Sequence, residues 1–270
     1  MAVITTGNFS KALWPGVNAW YGQSYNEFPV QWTDLFSKNT STKNYEEDMY
    51  QTAFGLASVK TEGAPTTYDS ARQGWVTRYL HVVYSLGFMI TEEAVSDNLY
   101  AEAGQRDAKD LAFSMRQTKE NVAANVYNRA FTSGYTGGDG SILCVTTHPN
   151  VTGGTWQNTL TTAADLSEAS LEQAYLDIKD WTTDRGLKAN LEPQTLILPS
   201  ELRFEAERIL MSPYRVGSAD NDINALKSMG LFKKVVINNY LTDADAWFIR
   251  TNAPHGMKCF QRWALKFATD

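Results

Sequence analysis

The sequence predicts an α+β fold in which extended pieces project from a mixed α/β lobe. Three observations carry this. Residues Val76 to Ile90 alternate apolar and polar over a run far longer than an ordinary strand. An apolar stripe of helical period follows over residues 91–131, and shorter helix and strand signals succeed one another from Ser167 onward.

The first 44 residues hold few charges but carry Trp14, Trp20, Tyr21, Tyr25, Phe28, Trp32 and Phe36, interrupted by Pro15, Gly16, Gly22 and Pro29. Proline and glycine deny this stretch a regular element, yet aromatic area has to be buried somewhere. Residues 1–44 are therefore expected to form an irregular arm, packed on this chain's own core or on a neighbour.

In the alternating run, Val76, Leu80, Val82, Tyr84, Leu86, Phe88 and Ile90 share one face, broken by Arg78. At roughly 3.3 Å per residue it would reach about 50 Å, against a usual strand of about five or six residues. Its expected antiparallel partner is Tyr50–Lys60, with KTEGAPTTYDSARQGW as a polar tip. Two strands alone are marginally stable in water, so such a hairpin needs another surface to lie on.

Thr91 is the expected N-cap of the long helix, with Glu92 and Glu93 in a first turn where carboxylates complement the helix dipole. Val95, Leu99, Ala103, Leu111, Met115, Val122, Val126 and Ala130 form one stripe that lapses at Asp107 and Thr118. On that phase Val122 and Val126 face a core, while Gln117 and Lys119 lie off it. About 40 residues at about 1.5 Å each make a rod of roughly 60 Å. A compact chain of this length would be only about 48 Å across, so a spherical molecule is not expected.

A Gly-, Thr- and Asn-rich segment follows, with one short strand signal at Ile142–Val145, and reads as a boundary. From Ser167 comes an amphipathic helix with Leu171, Tyr175, Ile178 and Trp181, then an apolar strand at Thr195–Leu198. Ser200 is placed to cap a helix carrying Leu202, Ala206 and Ile209, before the strands KKVVI and AWFIR.

Composition narrows the function. A chain of 270 residues, 43% hydrophobic and 20% charged, can bury one large core or two modest lobes. The net charge of −6 argues against a broad basic face for nucleic acid. Cys144 and Cys259 lack metal-type spacing and read as buried thiols, which fits a reducing compartment. The opening residues do not resemble a signal peptide, and no run of about 18 apolar residues occurs, so neither export nor a membrane span is expected.

Catalytic motifs are missing: there is no Gly-x-Ser-x-Gly, no Walker-type phosphate loop and no His-Glu-x-x-His. No lysine follows the glycines at 134, 137, 138 and 140. DNDIN, beginning at Asp220, lacks the glycine an EF-hand needs at its sixth position and has Leu231 in place of the bidentate glutamate. The three histidines, His81, His148 and His255, are far apart in sequence and read as packed or pairing residues. No catalytic residue, metal or cofactor is expected. A hydrolase with an unrecognised site stays open as an alternative, which a histidine clustered with carboxylates in a closed pocket would favour.

The order of these pieces, together with the stretches GFMITEEAVSDN, DGSILCVTTHPN, LSEASLEQAYLDIKDW, LILPSELRFEAERIL and LFKKVVINNYLTDADAWFI, resembles the major capsid proteins of tailed bacteriophages. Their Hong Kong 97-type fold is shared by bacterial encapsulins. The resemblance spans most of residues 50–250 and implies an N-terminal arm at 1–44 and an extended β-hairpin loop at 45–88. It further implies a peripheral domain at 89–164 with a spine helix at 91–131, a mixed α/β axial domain at 165–250, and a return segment at 251–270.

The implied function is a non-enzymatic shell protein forming pentamers and hexamers around viral double-stranded DNA, in virions assembled in the host bacterial cytoplasm. The implied partners are further copies of the chain, a portal and a possible decoration protein. The chain has no charge-rich helical leader, so a separate scaffolding protein is expected, and its initial Met argues against N-terminal processing. It ends at Asp270, earlier than the resemblance suggests, so a further tail is an open expectation. The candidate intersubunit contacts are Trp14, Trp20, Trp32, Lys60, Glu62, Tyr68, Arg72 and Trp75. Some members crosslink a loop lysine to a neighbouring asparagine; Lys60 lies in that region but is expected to be a solvated or ion-pairing lysine. An encapsulin-like compartment is the same-fold rival, which a cargo-peptide groove would favour.

Overall fold

A computed structural model describes residues 21–22, 24–27, 29–89, 100–215, 222–254 and 256–266, the side chains of 100–104 excepted. Trp14, Trp20, the start of the expected spine helix at 91–99, Asp220 and His255 therefore lie outside the described residues.

The described strands are, in chain order, β1 Ser37–Thr40, β2 Tyr45–Gln51, β3 Gln73–Leu80, β4 His148–Pro149, β5 Thr155–Trp156, β6 Pro193–Leu198, β7 Lys234–Ile237, β8 Phe248–Thr251 and β9 Lys258–Gln261. The centre is a three-stranded sheet of order β7-β6-β8, with β7 parallel to β6 and β8 antiparallel to it. A central strand buried on both faces must be continuously apolar, and Leu196, Ile197 and Leu198 are all fully buried. Successive side chains point to opposite sides. Leu196 and Leu198 join Leu171, Ala206, Ile209, Leu210 and Leu226 from the helices Glu168–Asp180, Arg203–Met211 and Ala225–Met229. On the other face Ile197 and Val236 meet Leu35, Phe36 and Tyr127. Tyr127 belongs to the long helix Tyr100–Asn128, and its hydroxyl donates to the Leu35 carbonyl at 3.0 Å. One sheet thus binds the lobe to the long helix and to the end of the N-terminal segment.

Local signals explain several boundaries. Ser167 caps Glu168–Asp180 through a reciprocal capping box with Ser170. Ser200 does not cap the next helix: its hydroxyl donates to Glu201, and the helix begins later, at Arg203. Ile142–Val145 is not a strand. Ile142 makes a single bridge to Thr136, and the Asn158 side chain serves the backbone of Leu143 and Val145 in place of a ladder. Both cysteines are free and partly buried, and burial pushes the Cys144 thiol up to about 11.

The described long helix spans 29 residues and ends at Asn128 rather than Phe131. Its buried line runs through Ala108, Leu111, Ala112, Arg116, Glu120, Ala124 and Tyr127. The expected stripe holds at Leu111, Met115 and Ala130 but fails between them, because Val122 and Val126 are 37% and 41% exposed. The inward positions are instead taken by Arg116, whose guanidinium lies 4.5 Å from the centre of the Tyr25 ring, and by Glu120, with Lys119 beside them. Glu120 accepts from the backbone amides of Gln31 at 3.2 Å and Trp32 at 2.7 Å, at the start of the short helix Trp32–Leu35. Lys119 is half-buried with its ammonium 4.2 Å from the centre of the Trp32 ring. An apolar-in rule cannot find an inward face built from ions and alanines.

Replacing Val122 and Val126 together with aspartate is expected to leave unfolding stability within about 0.5 kcal/mol of the parent. Ala124→Asp, on the buried line, is expected to cost several kcal/mol. Urea unfolding of the variants checks this; the reverse order would mean that the helix is rotated about its axis.

Candidate intersubunit surface

The segment expected to form an extended loop contains a hairpin of β2 Tyr45–Gln51 and β3 Gln73–Leu80. Its register pairs Tyr45 with Leu80 and Met49 with Val76, so the partner of β3 lies earlier than the expected Tyr50–Lys60. The turn sets this register. The Ala64 amide donates to the Thr61 carbonyl at 3.1 Å, and Gly63 takes φ of +81°, which a residue without a side chain adopts easily. Nested outward from that turn, the Ser58 and Thr67 hydroxyls meet at 3.1 Å, the Gly55 amide donates to Asp69 Oδ2 at 2.8 Å, and the Thr52 amide donates to the Arg72 carbonyl at 2.9 Å. Ladder pairing stops at Leu80, and residues 81–89 run on without a strand partner among the described residues. His81 is among them, with its Nε2 3.1 Å from the Ser41 hydroxyl.

The ribbon has two unlike faces. On the inner face Asp48 pairs with Lys258 of β9 (Lys258–Gln261) at 2.6 Å, and the Tyr79 ring lies 5.0 Å from that of Phe260. Thr77 sits against Gly138, where an added Cβ would lie 2.1 Å from the threonine hydroxyl, so glycine permits this approach. Burial, and then the Asp184 carboxylate, raises the Tyr50 pKa. Arg185 Nη2 reaches both oxygens of Asp69, at 2.6 and 2.7 Å. The base is therefore seated on its own subunit along one side.

The outer face carries Tyr45, Met49, Val76 and Leu80, all exposed, around a Glu47–Arg78 ion pair of 2.6 Å. Beyond Asp69 the tip is more open still: Leu56 is 85%, Val59 95% and Tyr68 91% exposed. Scattered exposed apolar side chains need no explanation, but a continuous ribbon of them marks a surface for another protein.

Of the expected contact residues, Lys60, Glu62, Tyr68, Arg72 and Trp75 all lie exposed on this hairpin. Trp32 does not join them; it is 4% exposed and packs on this chain's own long helix. Sequence reading missed Asp69, Arg185, Asp48, Lys258 and Glu120. The turn signal Asp184-Arg185-Gly186 was visible, but nothing in one sequence links it to a residue as distant as Asp69.

The site offers structure rather than chemistry. His148 is buried, with Nδ1 2.6 Å from Asp139, and stacks on Trp156 at 4.8 Å, which is a packed, pairing histidine. Surface hollows at Lys43, Tyr45 and Glu47 and beside β8 and β9 contain no histidine. Among the described residues no group of three or more His, Cys, Asp or Glu could hold a metal ion, and no helix is long and apolar enough to cross a membrane.

Burial is the first cause raising the Glu120 pKa, opposed by the two amides and by Arg116 and Lys119. A carboxyl raised in the folded state favours folding below its ordinary pKa, and that contribution fades as pH rises through the raised value. Glu120→Ala orphans the Gln31 and Trp32 amides and is expected to cost about 1–3 kcal/mol at pH 7 in urea unfolding. A cost near zero would mean that Glu120 does not hold the short helix.

Comparison with known proteins covers most of the chain. A family model described as phage capsid protein matches residues 76–266. The procapsid of bacteriophage JBD30 contains a chain of similar structure, with a TM-score of 0.58 at 14% identity over 88% of this chain and 100% of that one. The JBD30 capsid decorated with minor capsid protein trimers matches with a TM-score of 0.57 at 12% identity, over 89% and 100%. A further JBD30 capsid structure gives 0.58 at 12% identity, over 80% and 92%. At such identities the likeness to the solved structures is one of fold. No curated protein matches the sequence.

Proposed function

The chain belongs to the phage capsid protein family, and from that premise we propose that it is the repeating subunit of a Hong Kong 97-type head shell, forming pentamers and hexamers around double-stranded DNA. Membership makes it a structural, non-enzymatic protein of the virion capsid. The observation that carries the finer reading is the hairpin, which has a base fixed to its own subunit and a tip whose Leu56, Val59 and Tyr68 no described residue of the chain covers. A neighbouring copy supplies that cover.

In this reading residues 1–44 are the arm, 45–88 the extended loop, 89–164 the peripheral domain with its spine helix, 165–250 the axial domain and 251–270 the return segment. Lys60, Glu62, Tyr68, Arg72 and Trp75 contact a neighbour, as do Trp14 and Trp20 of the arm. The net charge of −6 suits an interior that tolerates DNA without gripping it, since strong phosphate contacts would oppose its packaging and release. A separate scaffolding protein and a portal complete the assembly in the host cytoplasm. A decoration protein is proposed by analogy with the JBD30 capsid, which carries minor capsid protein trimers.

Deleting Thr61 to Ser70 is expected to leave a folded subunit, with circular dichroism unchanged and the thermal midpoint within about 2 °C of the parent, while abolishing normal shells in negative-stain images. The parent is expected to form polyhedral particles, tubes or capsomer rings. Loss of the fold in the deletion, together with no particles from the parent, would sink the reading.

A further inference from the structure

We propose that Asp69 and Arg185 form an intrasubunit latch that divides the hairpin into a seated base and an exposed tip, and so fixes the angle at which the tip meets the next copy of the chain. The inference rests on the shell-forming role above. It concerns how one subunit holds its own loop, rather than the contact between subunits.

The geometry singles out this pair among the surface ion pairs. One carboxylate accepts four times: from Arg185 at 2.6 and 2.7 Å, from the Gly55 amide at 2.8 Å and from the Ser70 amide at 2.8 Å. Gly55 lies on the outgoing leg and Ser70 on the returning leg. Asp69 thus ties the two legs to each other where ladder pairing has ended, and ties both to the body.

The receiving turn is itself rigid. The Thr183 amide donates to the Leu187 carbonyl at 2.7 Å, the Gly186 amide donates to the Thr183 carbonyl at 2.8 Å, and Thr182 bridges to Lys188. It follows directly on the helix Glu168–Asp180, whose Leu171 and Ile178 are buried in the lobe. The hairpin's angle is therefore referred to the lobe through one short turn. Backbone and guanidinium donors hold the Asp69 carboxyl down to about 2, with the Gly55 amide the largest cause, so the latch is closed across ordinary pH.

Because Asp69 is exposed, the pair adds little to folding stability, and its effect is one of position. Its test must therefore read the loop itself. Amide hydrogen exchange of unassembled subunits is expected to show Thr52 and Gly55 protected in the parent. In Arg185→Glu, which repels Asp69, and in Arg185→Gln, which only removes the charge, both amides are expected to exchange at least about ten-fold faster, with β6 amides unchanged.

Both variants are also expected to give malformed or no shells when the parent forms them. Unchanged exchange at Thr52 and Gly55, or normal shells despite a loosened hairpin, overturns the latch. A parent that forms no shells would count against the proposed function, while the exchange result would still decide whether the latch exists.

Discussion

Strand β6 is the constraint on which everything else depends. Its Leu196, Ile197 and Leu198 have no exposed area, and alternation sends them into two separate cores. Backbone groups in such a dry position must be paired, and the flanking strands β7 and β8 pair them. One face then collects three helices of the lobe, while the other fixes the long helix through Tyr127 and the N-terminal segment through Leu35 and Phe36. A packed core of this kind is stiff, so elements anchored to it hold their positions relative to one another.

The hairpin lies at the opposite extreme. It cannot bury its own apolar face, since two strands leave both sides of a ribbon open. Its inner side is closed by contacts that climb from Lys258 and Phe260 near the base, past Gly138, to Asp184 and Arg185. Among the described residues, nothing covers its outer side and tip. In the proposed shell the missing partner would be the same chain repeated, and what looks unfinished in one subunit would be complementary surface in an array. The Lys119–Trp32 contact and the Glu120 bonds to residues 31 and 32 play the corresponding part for the end of the arm, drawing Trp32 inward and away from any neighbour.

Much of this was legible in the sequence because it rests on local rules. The apolar run at Thr195–Leu198 and the helix signal from Ser167 each point to an element that exists, and the alternation after Val76 to a strand that ends at Leu80 rather than Ile90. What failed did so where tertiary contacts override a local pattern. Val122 and Val126 look like core residues, but Arg116 and Glu120 occupy the inward face to meet a distant ring and two distant amides. The hairpin register was misplaced because Gly63, not the polarity of the tip, sets its centre. Nothing pointed to the pairing of Asp69 with Arg185, since an ion pair between distant segments leaves no periodicity to read.

The most direct test of the account is an electron cryomicroscopy map of assembled particles at side-chain detail. The account predicts Leu56, Val59 and Tyr68 buried on an adjacent copy, while Asp48–Lys258 and Asp69–Arg185 stay within the subunit. Particles in which the tip stands free in solvent or folds back on its own subunit would contradict it.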